Sequence, residues 1–365
     1  MQDQEHTTAT PRLSTSTSCS SSSSQSSSSV KIYGVGLVGF DHALGPTVEF
    51  LYPQSLEQLG GLELKDDLPF LALPDGAHSR EEDYTYFHLN LPQLSENGTV
   101  FGISCNRQIQ SNELLNKGSE ITRSTVQKSI IVLANSPIFG SLRDKLGVIT
   151  RSFFAQRDFK DKQILKDLFH SFQQQQQQQQ QVEVEEEEYM GTFLRELVYK
   201  FRFKTLMLLK LLMLQRRVLF YSTTTTVEQL CTFQYSLVAL IPLLLTSLQD
   251  SASPTLSNRT KSGNENLQKP TSLKTSEKSS LLRYLGLPLE IFGDSSFFQP
   301  YLPLQQIETL SKCKTYLVGT TNSIIQQQRD CNIDVVVNLD TTSGRSISRP
   351  TLVRRRGTKQ RYKLV

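Results

Sequence analysis

Gly34, Gly36 and Gly39 reproduce the spacing that cradles a dinucleotide pyrophosphate. That chemistry needs a strand before the glycines and a helix opening after them, so that helix amides meet the phosphates. Here Phe40, Asp41 and His42 lead straight into Leu44, Gly45 and Pro46, a turn signal. The glycines are therefore expected inside a strand, and a nucleotide-dependent oxidoreductase is disfavoured. His42, His78 and His88 are the candidate general bases, but no metalloprotease, serine-hydrolase or phosphate-loop pattern accompanies them. They read as turn and strand histidines with local hydrogen bonds. Asp75 precedes Gly76 and reads as a turn residue before it reads as a base. Glu81, Glu82 and Asp83 are three adjacent acids that do not face one point, so a solvated loop edge is expected rather than a metal site. The five cysteines, at 19, 105, 231, 313 and 331, include no closely spaced pair and define neither a zinc site nor a disulfide framework. Cys105 and Cys231 sit among apolar residues and read as small core side chains. No catalytic residue, metal or cofactor is assigned.

The elements that would position these groups are legible in three apolar islands. Residues 34–50 (GVGLVGFDHALGPTVEF) read as strand, turn, strand, with Val48 and Phe50 alternating. Residues 68–78 (LPFLALPDGAH) read as a buried apolar stretch stopped by a Pro-Asp-Gly turn. Residues 100–109 (VFGISCNRQI) are a further strand, in which Phe101 and Ile103 share a core face with Phe50. Residues 126–133 are another, rich in β-branched side chains. Short strands and tight turns point to an antiparallel sheet. Leu142, Leu146, Ile149 and Phe153 then recur at helical spacing, as do Ile164, Leu165, Leu168, Phe169 and Phe172. Beyond Tyr189, the positions Leu194, Leu197, Val198, Phe201, Thr205, Leu208, Leu209 and Leu212 predict one long amphipathic helix. Residues 218–221 form a short strand, and 227–248 a helical stretch that Pro242 kinks or divides.

Low-complexity segments divide the 365 residues. Residues 1–29 are Ser/Thr-rich and expected to be disordered. A first folded unit spans 30–172. Residues 173–188 carry a glutamine run and then glutamates, a solvated linker or a helix extension. A second unit covers 189–249 and resumes at 280–330 around a polar insert at 250–279 that is expected to be disordered. Residues 331–365 read as a basic, disordered tail. Net charge is +4, but residues 341–365 hold eight basic residues and no acid, so the chain before them sums to −4. A mildly acidic body argues against a nucleic-acid partner. The Lys200, Arg202, Lys204 series reads first as solubilising charge, with acidic lipid or a partner as the alternative. The apolar runs at 206–214 and 237–248 fall short of the roughly 20 residues a membrane span needs.

The three islands, in this order, resemble the DENN-domain proteins, and specifically their Avl-type late-secretory-pathway branch. The likeness continues through 120–129 (EITRSTVQKS), 210–220 (KLLMLQRRVLF), 286–292 (GLPLEIF) and 316–322 (YLVGTTN), and covers most of 31–330. It implies an α/β (α+β) fold, a longin-like N-terminal sheet lobe followed by a second α/β DENN lobe. It further implies a cytoplasmic protein, peripheral to secretory or Golgi-derived membranes, that binds a Rab-type small GTPase and acts as a guanine-nucleotide exchange factor. The alternative is a non-catalytic trafficking scaffold that binds a small GTPase or coat component. Arg107, Gln108, Thr122 and Arg123 match family motifs and are the candidate partner-facing rim, with a role in holding strand ends as the alternative. Arg354, Arg355 and Arg356 are candidate contacts to anionic membrane. After Gln328 the text departs from the family pattern, through either a shortened form or a change of reading frame. The second lobe is accordingly expected to be C-terminally incomplete, to expose apolar surface between Leu302 and Ile325, and to lack full exchange activity.

Overall fold

Antiparallel pairing begins at Gly45, whose φ of 82° lies where only glycine turns without strain. It joins β1 (Ile32–Asp41) to β2 (Gly45–Tyr52). The computed structural model describes residues 30–41, 43–95, 98–115, 124–179, 193–248, 251–252, 278–293, 295–340 and 351–354. The first sheet adds β3 (Glu82–Asn90), β4 (Thr99–Gln110) and β5 (Thr125–Ala134), in the order β2-β1-β5-β4-β3. All its pairings are antiparallel. The three glycines of the dinucleotide-like pattern lie inside β1, and β2 follows rather than a helix. A Cβ at Gly34 would come within 2.6 Å of both Leu56 Cδ2 and Tyr52 O, so this glycine permits close packing rather than phosphate contact.

Both faces of this sheet are covered, which explains why β5 is apolar at consecutive positions. Ile131 and Leu133 pack against α1 (Gln54–Asp66) and α2 (Leu68–Ala72). Ile130, Val132 and Ala134 face α3 (Phe139–Ala155) and α4 (Gln163–Gln179) with Phe101, Ile103 and Cys105. Phe50 is partly buried against the same cluster. The LPFLA stretch is buried as expected, but as a short helix. Ser104 and Ser129, each in the middle of a strand, donate to the Ala72 carbonyl at 2.9 and 2.8 Å and tie that helix end to the sheet. Helix α4 runs into the glutamine tract as far as Gln179; residues 180–192 lie outside the described residues.

The second lobe starts with α5 (Phe193–Phe201) and α6 (Lys204–Met213). One long helix was the expectation; the chain breaks instead at Arg202, with φ of 51°. No Gly or Pro marks the site, and the left-handed residue costs roughly 1–2 kcal/mol. The break lets Leu197 and Phe201 on one segment and Leu208 and Leu212 on the next all reach one core. Strand β6 (Arg217–Tyr221) leads to α7 (Val227–Ala239), which ends before Pro242. After α8 (Lys278–Tyr284) come β7 (Ser296–Gln299), α9 (Ile307–Lys312), β8 (Thr315–Thr320) and α10 (Ser323–Gln327). Two further strands, β9 (Val335–Asn338) and β10 (Thr351–Arg354), complete the sheet order β10-β9-β6-β8-β7. It is parallel except for β10. The fold is therefore mixed α/β, one antiparallel and one largely parallel sheet with helices between and around them.

Two expectations need correction. Residues 331–339 are not a disordered tail: β9 pairs with β6, and Cys331, Ile333, Val336 and Leu339 are buried. Their triple-valine run is the composition of a strand covered on both faces. Nor does Leu302 to Ile325 form an exposed apolar surface, because Leu302, Leu310 and Ile325 are fully buried in the cluster that Cys331, Ile333 and Val336 help close. The insert at 253–277 and residues 341–350 and 355–365 lie outside the described residues.

Helix α7 is packed between the sheets, and Leu230 through Val238 are buried on every side. Phe101 reaches it across the lobe boundary, 6.5 Å from the Tyr235 ring and 6.3 Å from that of Phe139. Phe101→Ala should cost about 3–5 kcal/mol in urea unfolding. A loss below about 1 kcal/mol would place the ring outside the core.

Candidate functional site at the junction of the lobes

The first turn of a helix presents amides without internal partners. Thr226 caps α7 in the ordinary way, its side chain accepting from Gln229 N at 3.2 Å. The next two amides are met from the other lobe. Asp83, at the start of β3, accepts from Val227 N at 3.0 Å and from Glu228 N at 3.3 Å. Its side chain is 4% exposed and lies 3.7 Å from Arg80 Nε. Arg80 in turn donates to the Thr224 carbonyl at 2.5 Å. Burial raises the Asp83 pKa, against the pull of these amides and of Arg80. Sequence reading placed Asp83 with Glu81 and Glu82 on a solvated edge; Glu81 is there, but Asp83 is a buried cap. The available signal was Thr226 three residues before Gln229, which marks a helix start whose remaining first-turn amides need acceptors.

Further buried contacts line the same seam. Glu228 accepts from Tyr86 Oη at 2.9 Å and is ion-paired to Arg143, whose guanidinium also lies 4.5 Å over the Tyr84 ring. His88 is fully buried, with its ring nitrogens 3.0 Å from Tyr235 Oη and 3.3 Å from Ser251 Oγ. Burial lowers its pKa to about 3. It is the strand histidine expected, but its hydrogen bonds are not local: they run to Tyr235 and Ser251, across the junction. His42 and the His78 side chain lie outside the described residues. The Pro-Asp-Gly turn is also part of the seam: Asp75 N donates to Tyr301 Oη at 2.5 Å, and Gly76 turns with φ of 82°.

Above this seam is a polar cleft of 290 Å³, lined among others by Asp75, Arg80, Asp83, Thr223, Asn322 and Ser323. It lies off the carboxyl ends of β6 and β8, adjacent parallel strands whose following helices, α7 and α10, pack on opposite faces of the sheet. Such a reversal opens a crevice by topology alone. Its wall is fixed by Asp340, which accepts from Ser222 Oγ at 2.5 Å and from Thr223 N and Thr224 N at 2.9 and 3.0 Å. Partial burial works against ionisation there, but these bonds outweigh it and bring the Asp340 pKa down to about 2. Asp75 is raised by burial, and among the described residues its Oδ2 has no partner. This Asp75 oxygen is thus buried in the wall, and the cleft itself offers hydroxyls and one cation, Arg80. Among the described residues no group of three His, Cys, Asp or Glu side chains is placed to hold a metal ion.

Arg107 and Gln108 line a second, more open groove with Arg151, Phe154 and Arg157. Arg107 is 21% exposed and tied to Glu81 at 2.6 Å and Glu82 at 3.2 Å. Gln108 sits opposite Gln127 in the β4–β5 ladder and is half-buried. Thr122 and Arg123 lie outside the described residues; Ser124, next to them, accepts from Ser111 N at 2.7 Å. Cys105 and Cys231 are fully buried among apolar side chains, and burial holds the Cys105 thiol up at about 12.

The family described as transport protein Avl9 matches residues 32–352, a span that takes in both sheets and the junction between them. The chain belongs to the Avl9 family. It is 41% identical over 306 residues to the late secretory pathway protein avl9 of Schizosaccharomyces pombe, covering 83% of this chain and 61% of that one. It is 37% identical over 334 residues to the late secretory pathway protein AVL9 of Saccharomyces cerevisiae, covering 86% of this chain and 42% of that one. The chain thus spans about three fifths and two fifths of the lengths of these Avl9 relatives. Among the described residues no helix is long and apolar enough to cross a membrane.

His88 gives the junction a pH dependence. Its folded pKa lies below its unfolded value of 6.5, so the unfolded chain takes up the extra proton between the two. The contribution is complete above pH 6.5 and is lost as pH falls through that window, by about 1.4 kcal/mol per unit. Asp67, Asp75 and Asp83 have raised values and work in the opposite sense. The His88 part is therefore read as a difference: urea stability should fall more steeply between pH 7.5 and 5.5 in the parent than in His88→Phe, by about 1.4 kcal/mol. Equal slopes would contradict the burial argument.

Proposed function

We propose that this chain acts in late secretory transport by binding a Rab-type small GTPase along the lobe junction and accelerating its nucleotide exchange. The observation that carries this reading is a polar cleft to which both lobes contribute, in a member of the Avl9 family. The names of the two relatives support the pathway. No nucleophile is needed: an exchange factor that binds the nucleotide-free GTPase more tightly than the loaded one speeds nucleotide loss. The proposed rim is Arg107, Gln108, Thr122 and Arg123, of which Arg107 and Gln108 line the second groove rather than the cleft. Peripheral attachment to secretory membranes is proposed through Arg354, Arg355 and Arg356; Arg354 ends β10, and the other two lie outside the described residues.

A scaffold without exchange activity is the second reading. It is favoured by the internal partners of Arg80, Asp83, Arg107 and Asp340, which leave few charged groups to displace a bound nucleotide or its metal. Release of labelled GDP from a panel of Rab proteins, with this chain at catalytic amounts, separates the two. Accelerated release from at least one Rab is expected. Stable binding without acceleration would leave the scaffold, and neither binding nor release across the panel would remove the Rab GTPase from both readings and leave only a scaffold for a coat component.

A further inference from the structure

Helices α5 and α6 have one face in the core: Leu197, Phe201, Leu208 and Leu212 are each at most 5% exposed. The opposite side is not the polar surface such helices ordinarily show. Val198 is 50% exposed, Phe203 61%, Leu206 71% and Met213 52%. Phe203, just before α6, and Leu206 and Met213 within it recur at spacings of three and seven and so follow one another along one side, with Val198 across the Arg202 corner. Scattered exposed leucines are normal, but a run of this kind on neighbouring turns is not.

Charge decides what covers it. Arg195 and Lys200 lie on α5, Arg202 at the corner between the helices and Lys210 on α6, against the single acid Glu196 of these segments. Among the described residues none of these four cations has an ion-pair partner. A second copy of this face would bring cation against cation. A surface that is apolar inside and anionic outside suits both sets of side chains.

We propose that the α5–α6 corner docks on an anionic lipid bilayer, with Phe203 and Leu206 entering the interface and Arg195, Lys200, Arg202 and Lys210 meeting the headgroups. The proposal is independent of the GTPase reading and of the basic C-terminal residues. It rests on a different face of the molecule.

Flotation of the full chain with phosphatidylcholine vesicles, with and without phosphatidylserine, tests it. The parent should bind the anionic vesicles and bind the neutral ones far less. The double variant Phe203→Ser, Leu206→Ser alters only exposed side chains, and its unfolding midpoint in urea checks that it is folded. It should lose at least about tenfold in affinity for anionic vesicles. Lys200→Glu with Lys210→Glu should weaken anionic binding by about fivefold for each charge removed. A tail variant, Arg354→Ala, Arg355→Ala, Arg356→Ala, should retain the response to both corner variants. Three results would overturn the proposal: no binding by the parent, binding unchanged in the corner variants, or binding abolished by the tail variant alone. A loss of self-association in the serine variant, with vesicle binding intact, would assign the face to contacts between copies and overturn it as well.

Discussion

Asp83 belongs to the first sheet and caps the first turn of a helix that grows out of the second. A helix start needs acceptors, and a buried carboxylate needs donors. Thr226 on one side and Tyr84 N with Arg80 on the other meet these demands only in part within each lobe, and the Val227 and Glu228 amides complete them across the junction. The pairing fixes where α7 begins, and therefore where the loop from Ser222 to Thr225 runs and what the cleft beside it can hold. Glu228, the second residue of the same helix, repeats the arrangement through its side chain with Tyr86 and Arg143. His88 and Tyr235 repeat it a further two turns along. Strand β3 thus meets α7 at successive levels by polar contacts set within a continuous apolar core.

These contacts specify more than they stabilise. A buried hydrogen bond contributes a modest net amount when made, and a larger penalty when one partner is left alone. A seam built from several of them accordingly accepts one relative position of the lobes and penalises its neighbours. The cleft at the strand ends needs that fixity, because its walls come from the Asp75 turn in one lobe and from Thr223 and Asn322 in the other. The α5–α6 corner, by contrast, owes its shape to a backbone break rather than to the seam.

Local signals were legible where local physics decides the outcome. Gly45 and Pro46 announced the first hairpin, the apolar periodicity of Leu142 to Phe153 announced α3, and Pro242 marked where α7 had to end. The glycine spacing in β1 was readable as strand because no helix start follows it. What escaped was decided at a distance. Nothing near Arg202 reveals the helix break, since the apolar pattern runs through it unchanged. Val335 to Val337 looked detached because its partner strand lies more than a hundred residues earlier. Asp83 resembled its acidic neighbours because the helix it caps is equally remote. Of the rim residues named from sequence, Arg107 and Gln108 do lie together, but Arg107 is already engaged by Glu81 and Glu82.

The junction is tested most directly by residue-resolved hydrogen exchange on the full chain and on Asp83→Ala. If Asp83 holds the two lobes together, its removal should lower protection at the Val227 and Glu228 amides and along β3 in concert. The loss should be roughly tenfold or more, as expected for unpaired buried donors, while α1 and α2 behind the sheet stay as they were. Changes confined to residues 82–84, with Val227 and Glu228 as protected as before, would contradict the account.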